Sequence, residues 1–77
     1  MALVRKFEKF GLQVEKVHGE VNSTYTAFRA ADGKSYFQID TYGSPERKLK
    51  GKKSQTIQLD EGAAKELIAL LRAEFSL

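Results

Sequence analysis

The run Ser23-Thr24-Tyr25-Thr26-Ala27-Phe28-Arg29-Ala30-Ala31-Asp32-Gly33-Lys34-Ser35-Tyr36-Phe37-Gln38-Ile39-Asp40-Thr41-Tyr42 decides how the rest of this 77-residue chain is read. Both halves are rich in β-branched and aromatic residues, the types that fit a pleated, half-buried surface. Between them Asp32-Gly33 is the preferred pair for a two-residue type I′ hairpin turn. The expectation is a hairpin of residues 22–30 and 34–42. A two-residue turn would pair Ala31 with Lys34, Phe28 with Phe37, Thr26 with Ile39 and Tyr25 with Asp40. Because side chains alternate across a strand, that register puts Phe28, Phe37, Ile39 and Thr26 on a core face. It puts Tyr25, Ala27, Arg29, Tyr36, Gln38, Asp40 and Tyr42 on the other.

Working outward towards the N-terminus, His18-Gly19-Glu20 reads as a turn and Leu12-Gln13-Val14-Glu15 alternates like a strand, expected over residues 12–17. Before it, the spacing of Val4, Phe7 and Phe10 predicts one face of a short helix ended by Gly11. Residues 1–11 are thus read as a short helical or flexible extension.

On the C-terminal side, Ser54-Gln55-Thr56-Ile57-Gln58-Leu59 reads as a last strand, with Ile57 and Leu59 inward and Thr56 and Gln58 outward. Asp60 suits the N-cap of a closing helix, and Glu61 its positive end. Ala64, Leu67, Ile68, Leu71 and Phe75 form that helix's apolar stripe. Leu70 and Leu77 widen the stripe beyond what four strands need to cover. The extra width has two readings: a partner subunit, or packing of Leu70 on the N-terminal segment. The expected architecture is α+β: a single domain over residues 1–77, an antiparallel four-stranded twisted sheet followed by one C-terminal helix, with a helix-mediated homodimer.

Composition narrows the chemistry. The chain has no cysteine and one histidine, His18, so it offers no disulfide, no thiolate metal site and no imidazole cluster. A core this small supplies only about 3–5 kcal/mol without reinforcement, which leaves self-association as the expected support. No apolar run reaches the ~20 residues needed to cross a bilayer, and no apolar signal core follows the first basic residues. The expectation is a cytoplasmic protein with no membrane partner, nucleoid-associated if bacterial. There is no Gly-rich phosphate loop, nucleophile elbow, zincin pattern or EF-hand loop. Asp40 is a lone carboxylate without an acid–base partner. The reading is therefore not an enzyme, with no cofactor and no metal.

Charge points elsewhere. The stretch Gly43-Ser44-Pro45-Glu46-Arg47-Lys48-Leu49-Lys50-Gly51-Lys52-Lys53 holds five basic residues and one acid, a local +4 against +3 for the whole chain. The sequence pI is about 9.3. A charge concentrated between two strands is what a polyanion meets first, although a charge run is also what a solvated turn looks like. Tyrosines on an open sheet can stack unpaired bases at roughly 1–3 kcal/mol per base, although tyrosine is equally a good strand residue. Single-stranded DNA or RNA is the expected partner. The candidate contacts are Arg29, Tyr25, Tyr36, Gln38 and Tyr42 on the hairpin, with Arg47, Lys48, Lys50, Lys52 and Lys53 in the basic stretch.

The element order and several motifs resemble the positive-cofactor-four family of single-stranded-DNA-binding transcriptional coactivators. The resemblance is carried by Tyr25-Thr26-Ala27-Phe28-Arg29, Gly33-Lys34, Phe37-Gln38-Ile39 through Tyr42, the basic run ending Gly51-Lys52-Lys53, and Ile57-Gln58-Leu59-Asp60. It covers roughly residues 20–75. It implies a dimer built through C-terminal helices, with paired β-ribbons forming a positive channel for unpaired strands. It also implies a basic role for Arg29 on the first hairpin strand and for Lys52 and Lys53 in the ribbon. The chain departs from the family at Ala31 and Gly43, where stacking aromatics are expected, and at Asp32 and Gln55, where lysines are expected. The alternative is a protein-interaction or regulatory module that docks an acidic partner through the same basic stretch.

Overall fold

The computed structural model describes residues 1–11, 16–43 and 53–77. Four strands, β1 (Ala2–Val4), β2 (Ser23–Arg29), β3 (Ser35–Tyr42) and β4 (Lys53–Leu59), precede one helix, α1 (Glu61–Phe75). The sheet order is β1-β4-β3-β2, so the fold is α+β as expected, but the sheet is mixed. β2, β3 and β4 form an antiparallel meander, whereas β1 runs parallel to β4, pairing Ala2 with Ile57 and Val4 with Leu59.

That parallel strand replaces the helix expected at the N-terminus. β4 would otherwise present a row of unpaired backbone groups along its outer side, and Ala2-Leu3-Val4 takes up that ladder. The following segment is tied down at Phe7, whose N–H donates to Glu66 Oε1 on α1 at 2.8 Å. The three-to-four-residue spacing of Val4, Phe7 and Phe10 therefore reflects no helix. Of the strand expected over residues 12–17, Lys16 and Val17 are not in a strand, and residues 12–15 lie outside the described residues.

The hairpin forms where expected, one residue out of the expected register. β2 and β3 pair Tyr25 with Ile39, Ala27 with Phe37 and Phe28 with Tyr36. The turn spans three residues: Gly33 N–H donates to the Ala30 carbonyl and Ala30 N–H to the Lys34 carbonyl, each at 2.9 Å. A type I′ turn needs positive φ at both central residues. Only Gly33 has it, at 81°, which is the pattern of a type I turn closed by a left-handed glycine. The Asp32 side chain holds the turn in this form. Its Oδ1 accepts from Lys34 N–H at 2.8 Å and its Oδ2 accepts from the Tyr36 hydroxyl at 2.7 Å.

A one-residue shift exchanges the faces of one strand against the other. Tyr25, Ala27 and Arg29 therefore share a face with Phe37, Ile39, Ile57 and Leu59. This is the side on which α1 packs, and the core is small. Leu59 and Ala63 are its buried apolar residues, and among the described residues no large side chain is fully buried.

The helix starts where the sequence indicates, with Asp60 Oδ1 accepting from Ala63 N–H at 2.8 Å. It ends at Ser76 in the left-handed region, φ 55°. Its second half stands clear of the sheet. Ile68, Leu70, Leu71, Phe75 and Leu77 are exposed, and Leu70 lines a shallow hollow with Phe7. Among the described residues no helix is long and apolar enough to cross a membrane.

Candidate nucleic-acid interface

The sheet's other face carries Phe28, Thr26 and Thr24 from β2, Tyr36, Gln38, Asp40 and Tyr42 from β3, Thr56 and Gln58 from β4, and Leu3 from β1. Among the described residues no element covers it. The three-residue turn decides who belongs here. Phe28 and Thr26, expected in the core, are on this open face, while Tyr25 and Arg29, expected beside Tyr36 and Tyr42, are on the helix side.

At the turn end, Phe28 and Tyr36 stand opposite each other with ring centroids 5.8 Å apart and planes tilted by 30°. Such a pair is within the favourable range of aromatic contacts. The bond from the Tyr36 hydroxyl to Asp32 fixes the outer edge of this platform. That same bond raises the Tyr36 pKa above its ordinary value, because ionising the phenol would set two anions together. Asp32 is lowered, first by the Lys34 backbone N–H and then by the Tyr36 hydroxyl. At the far end, Tyr42 Oη and Thr24 Oγ1 lie 2.9 Å apart.

Between the rings runs a polar ladder. Gln38 Nε2 lies 3.1 Å from each Asp40 oxygen. The Thr56 hydroxyl donates to Asp40 Oδ1 at 2.6 Å, and Gln58 Nε2 donates to Gln38 Oε1 at 2.9 Å. Lys53 Nζ lies 3.3 Å from Asp40 Oδ2, reaching it from a position where the β3–β4 register slips between Thr41 and Tyr42.

These side chains close over Asp40, which is only 3% exposed although it sits on the open side. Its carboxyl lies below the ordinary value, first because Thr56 donates to it, then because of the Gln38 amide and Lys53; burial opposes these. A buried carboxylate is tolerated when its acceptor sites are filled and a cation is near. Lys53, expected to meet phosphate, thus has its ammonium beside a carboxylate of this chain.

Of the expected contacts, Tyr36, Gln38, Tyr42 and Lys53 come together on one face. Tyr25 stacks on Phe37 on the opposite face, ring centroids 5.4 Å apart. Arg29 donates from Nε to the Gly33 carbonyl at 2.9 Å, holding its guanidinium across the turn. Arg47, Lys48, Lys50 and Lys52 lie outside the described residues.

The residues missed as site members are Phe28, Asp40, Thr56 and Gln58. A signal for Asp40, Thr56 and Gln58 was present in β4: its inward Ile57 and outward Thr56 and Gln58 have to match β3, which pairs Ile57 with Ile39 and Gln58 with Gln38; Phe28 had none, because its face depends on the hairpin register. Among the described residues no cluster of three or more His, Cys, Asp or Glu could hold a metal ion. Compared with protein-family models, curated proteins and solved structures, the chain matches none.

Proposed function

We propose that this chain is a non-catalytic module that binds single-stranded nucleic acid on the open face of its sheet, as a homodimer joined through α1. The observation that carries the reading is a sheet face that no element among the described residues covers. It sets the Phe28–Tyr36 ring pair, the amides of Gln38 and Gln58, and Tyr42 side by side. Its strands β3 and β4 are joined by the most basic stretch of the chain. Rings on an open sheet stack bases without demanding a sequence, while basic side chains draw in the phosphate backbone. The role falls to Phe28, Tyr36 and Tyr42 for stacking, and to Arg47, Lys48, Lys50 and Lys52 for phosphate. Tyr25 and Arg29, on the reverse face, are assigned no part in it.

Self-association is supported by the exposed stripe of Ile68, Leu71 and Phe75 and by the small core. A single copy leaves these side chains in water while, among the described residues, Leu59 and Ala63 are its buried apolar residues, and a second copy offers a matching stripe in a self-complementary interface.

The test is a titration of labelled 12- to 20-nucleotide single strands at low salt, read by fluorescence anisotropy. With about three phosphates neutralised per subunit, log K falls against log salt with a slope of about −2 per subunit. Absence of binding to single-stranded DNA and RNA alike would end the proposal. Docking of an acidic protein segment, which depends on charge alone, predicts little change when Tyr36 and Tyr42 become alanine. Base stacking predicts a large loss.

A further inference from the structure

The ladder on the open face has a direction, and the direction originates in one buried charge. An ionised carboxylate accepts hydrogen bonds and cannot donate them. Gln38 therefore has to turn its NH2 group, not its carbonyl, towards Asp40. Its Oε1 is left pointing the other way, where it accepts from Gln58 Nε2 at 2.9 Å. Gln58 is thereby oriented in turn: one amide hydrogen is used, while among the described residues its second N–H and its Oε1 have no partner. A glutamine on a sheet surface can ordinarily present either end of its amide. Here two glutamines in series are held in one sense.

The oriented amide borders a space. Gln58 and Gln38 line a hollow of about 550 Å³ together with Leu3, Met1, Lys53 and Thr56, within the ~300–1,000 Å³ range of small-ligand clefts. Gln38, Thr56, Gln58 and Leu3 in its lining belong to the side of the sheet that carries the Phe28–Tyr36 platform, while Ala2 and Gln55 bring it round the edge of β4. We propose that Asp40 is a positioning residue which, through Gln38, sets the Gln58 amide to hydrogen-bond the edge of an unpaired base in this hollow. The open face then reads bases as well as stacking them. Adenine is the expected partner, because it offers an amino donor beside a ring acceptor on two of its edges and pairs bidentately with glutamine. Asp40 itself touches no ligand; it acts through the two amides.

This inference rests on the single-strand reading, and the experiment separates the two. Affinities for adenine-containing 12-mers, and for the same 12-mers with each adenine replaced by unsubstituted purine, which keeps the stacking ring but lacks the amino donor, are compared by anisotropy at one salt concentration, for the wild type, Gln58→Leu and Asp40→Asn. The expected wild-type preference for adenine is roughly fivefold, the low end of what one bidentate amide–base pair contributes. Gln58→Leu brings the ratio to about one. Asp40→Asn does the same, because asparagine can both donate and accept and no longer forces the Gln38 amide one way.

Side-chain amide NMR supplies a second readout: the Gln58 Nε2 signals should move in Asp40→Asn although residue 58 is unchanged. Gln58→Leu alters a partly exposed position and is expected to fold, so the test survives a destabilised Asp40 variant. Equal wild-type binding of both oligomers, or a preference unchanged in Gln58→Leu, overturns base reading and leaves strand binding intact. A ratio lost in Gln58→Leu but kept in a folded Asp40→Asn overturns the role of Asp40. Failure of the wild type to bind either oligomer removes the single-strand reading, and this inference with it.

Discussion

Replacing Ile68 by alanine tests the proposed dimer at a mid-helix position more exposed than Leu70 or Leu71. Ile68 is 58% exposed in the single chain, between the sheet-packed first half of α1 and Phe75, itself 69% exposed. Alanine removes three carbons. At about 0.8 kcal/mol per buried CH2, scaled by the 58% still to be covered, the loss is about 1.4 kcal/mol per protomer. A two-fold interface uses the position twice, so the dimer loses about 3 kcal/mol, close to a hundredfold in dissociation constant. The isolated protomer should lose little, because much of the side chain is in water there and alanine is the better helix former. Sedimentation velocity over a dilution series reads the difference: the wild type stays dimeric to concentrations about a hundred times lower than the variant, while far-ultraviolet circular dichroism shows the same helix content. A wild type that sediments as a monomer throughout, or a variant that dissociates at the wild-type concentration, would rule out a dimer joined through this face of α1.

Four other outcomes are expected. Tyr36→Ala should weaken single-strand binding by about 1–3 kcal/mol with an unchanged salt slope, since a stacking ring is lost and no phosphate contact; Tyr25→Ala, on the reverse face, should leave affinity unaltered. Asp60→Ala should cost about 1 kcal/mol in a urea melt, because the Ala63 N–H loses its capping acceptor. Gly33→Ala should destabilise by about 1 kcal/mol, since alanine is strained at φ 81° even though a methyl there meets no neighbour. Asp40 contributes stability above the pKa of its unfolded carboxyl, near 3.8. The folded value is lower, so that contribution declines as pH falls from about 3.8 through the folded value. Urea midpoints at pH 6 and pH 3 should therefore differ more for the wild type than for Asp40→Asn, and equal differences would remove Asp40 from the acid response.

Every side chain on the open face is visible in the sequence, and Thr56 and Gln58 are correctly turned outward by strand alternation alone. Their company is another matter. Asp-Gly is compatible with a two-residue and a three-residue hairpin, and the choice moves Phe28 out of the core and Tyr25 away from Tyr36. What tips it is the carboxylate of Asp32, bonded to both Lys34 N–H and the Tyr36 hydroxyl. The second of those contacts exists only once β3 is in place. The parallel pairing of Ala2–Val4 with β4 is likewise illegible locally, because its partner lies more than fifty residues along the chain.

The hairpin's existence, the last strand, the helix with its aspartate cap and the absence of thiol chemistry are legible in the residues themselves. These follow from propensity, alternation and composition, which act over a few residues. The register, the mixed sheet and the burial of Asp40 beneath Gln38, Thr56 and Lys53 emerge only on folding. Each depends on hydrogen bonds between strands, where a shift of one residue reverses which side chains meet.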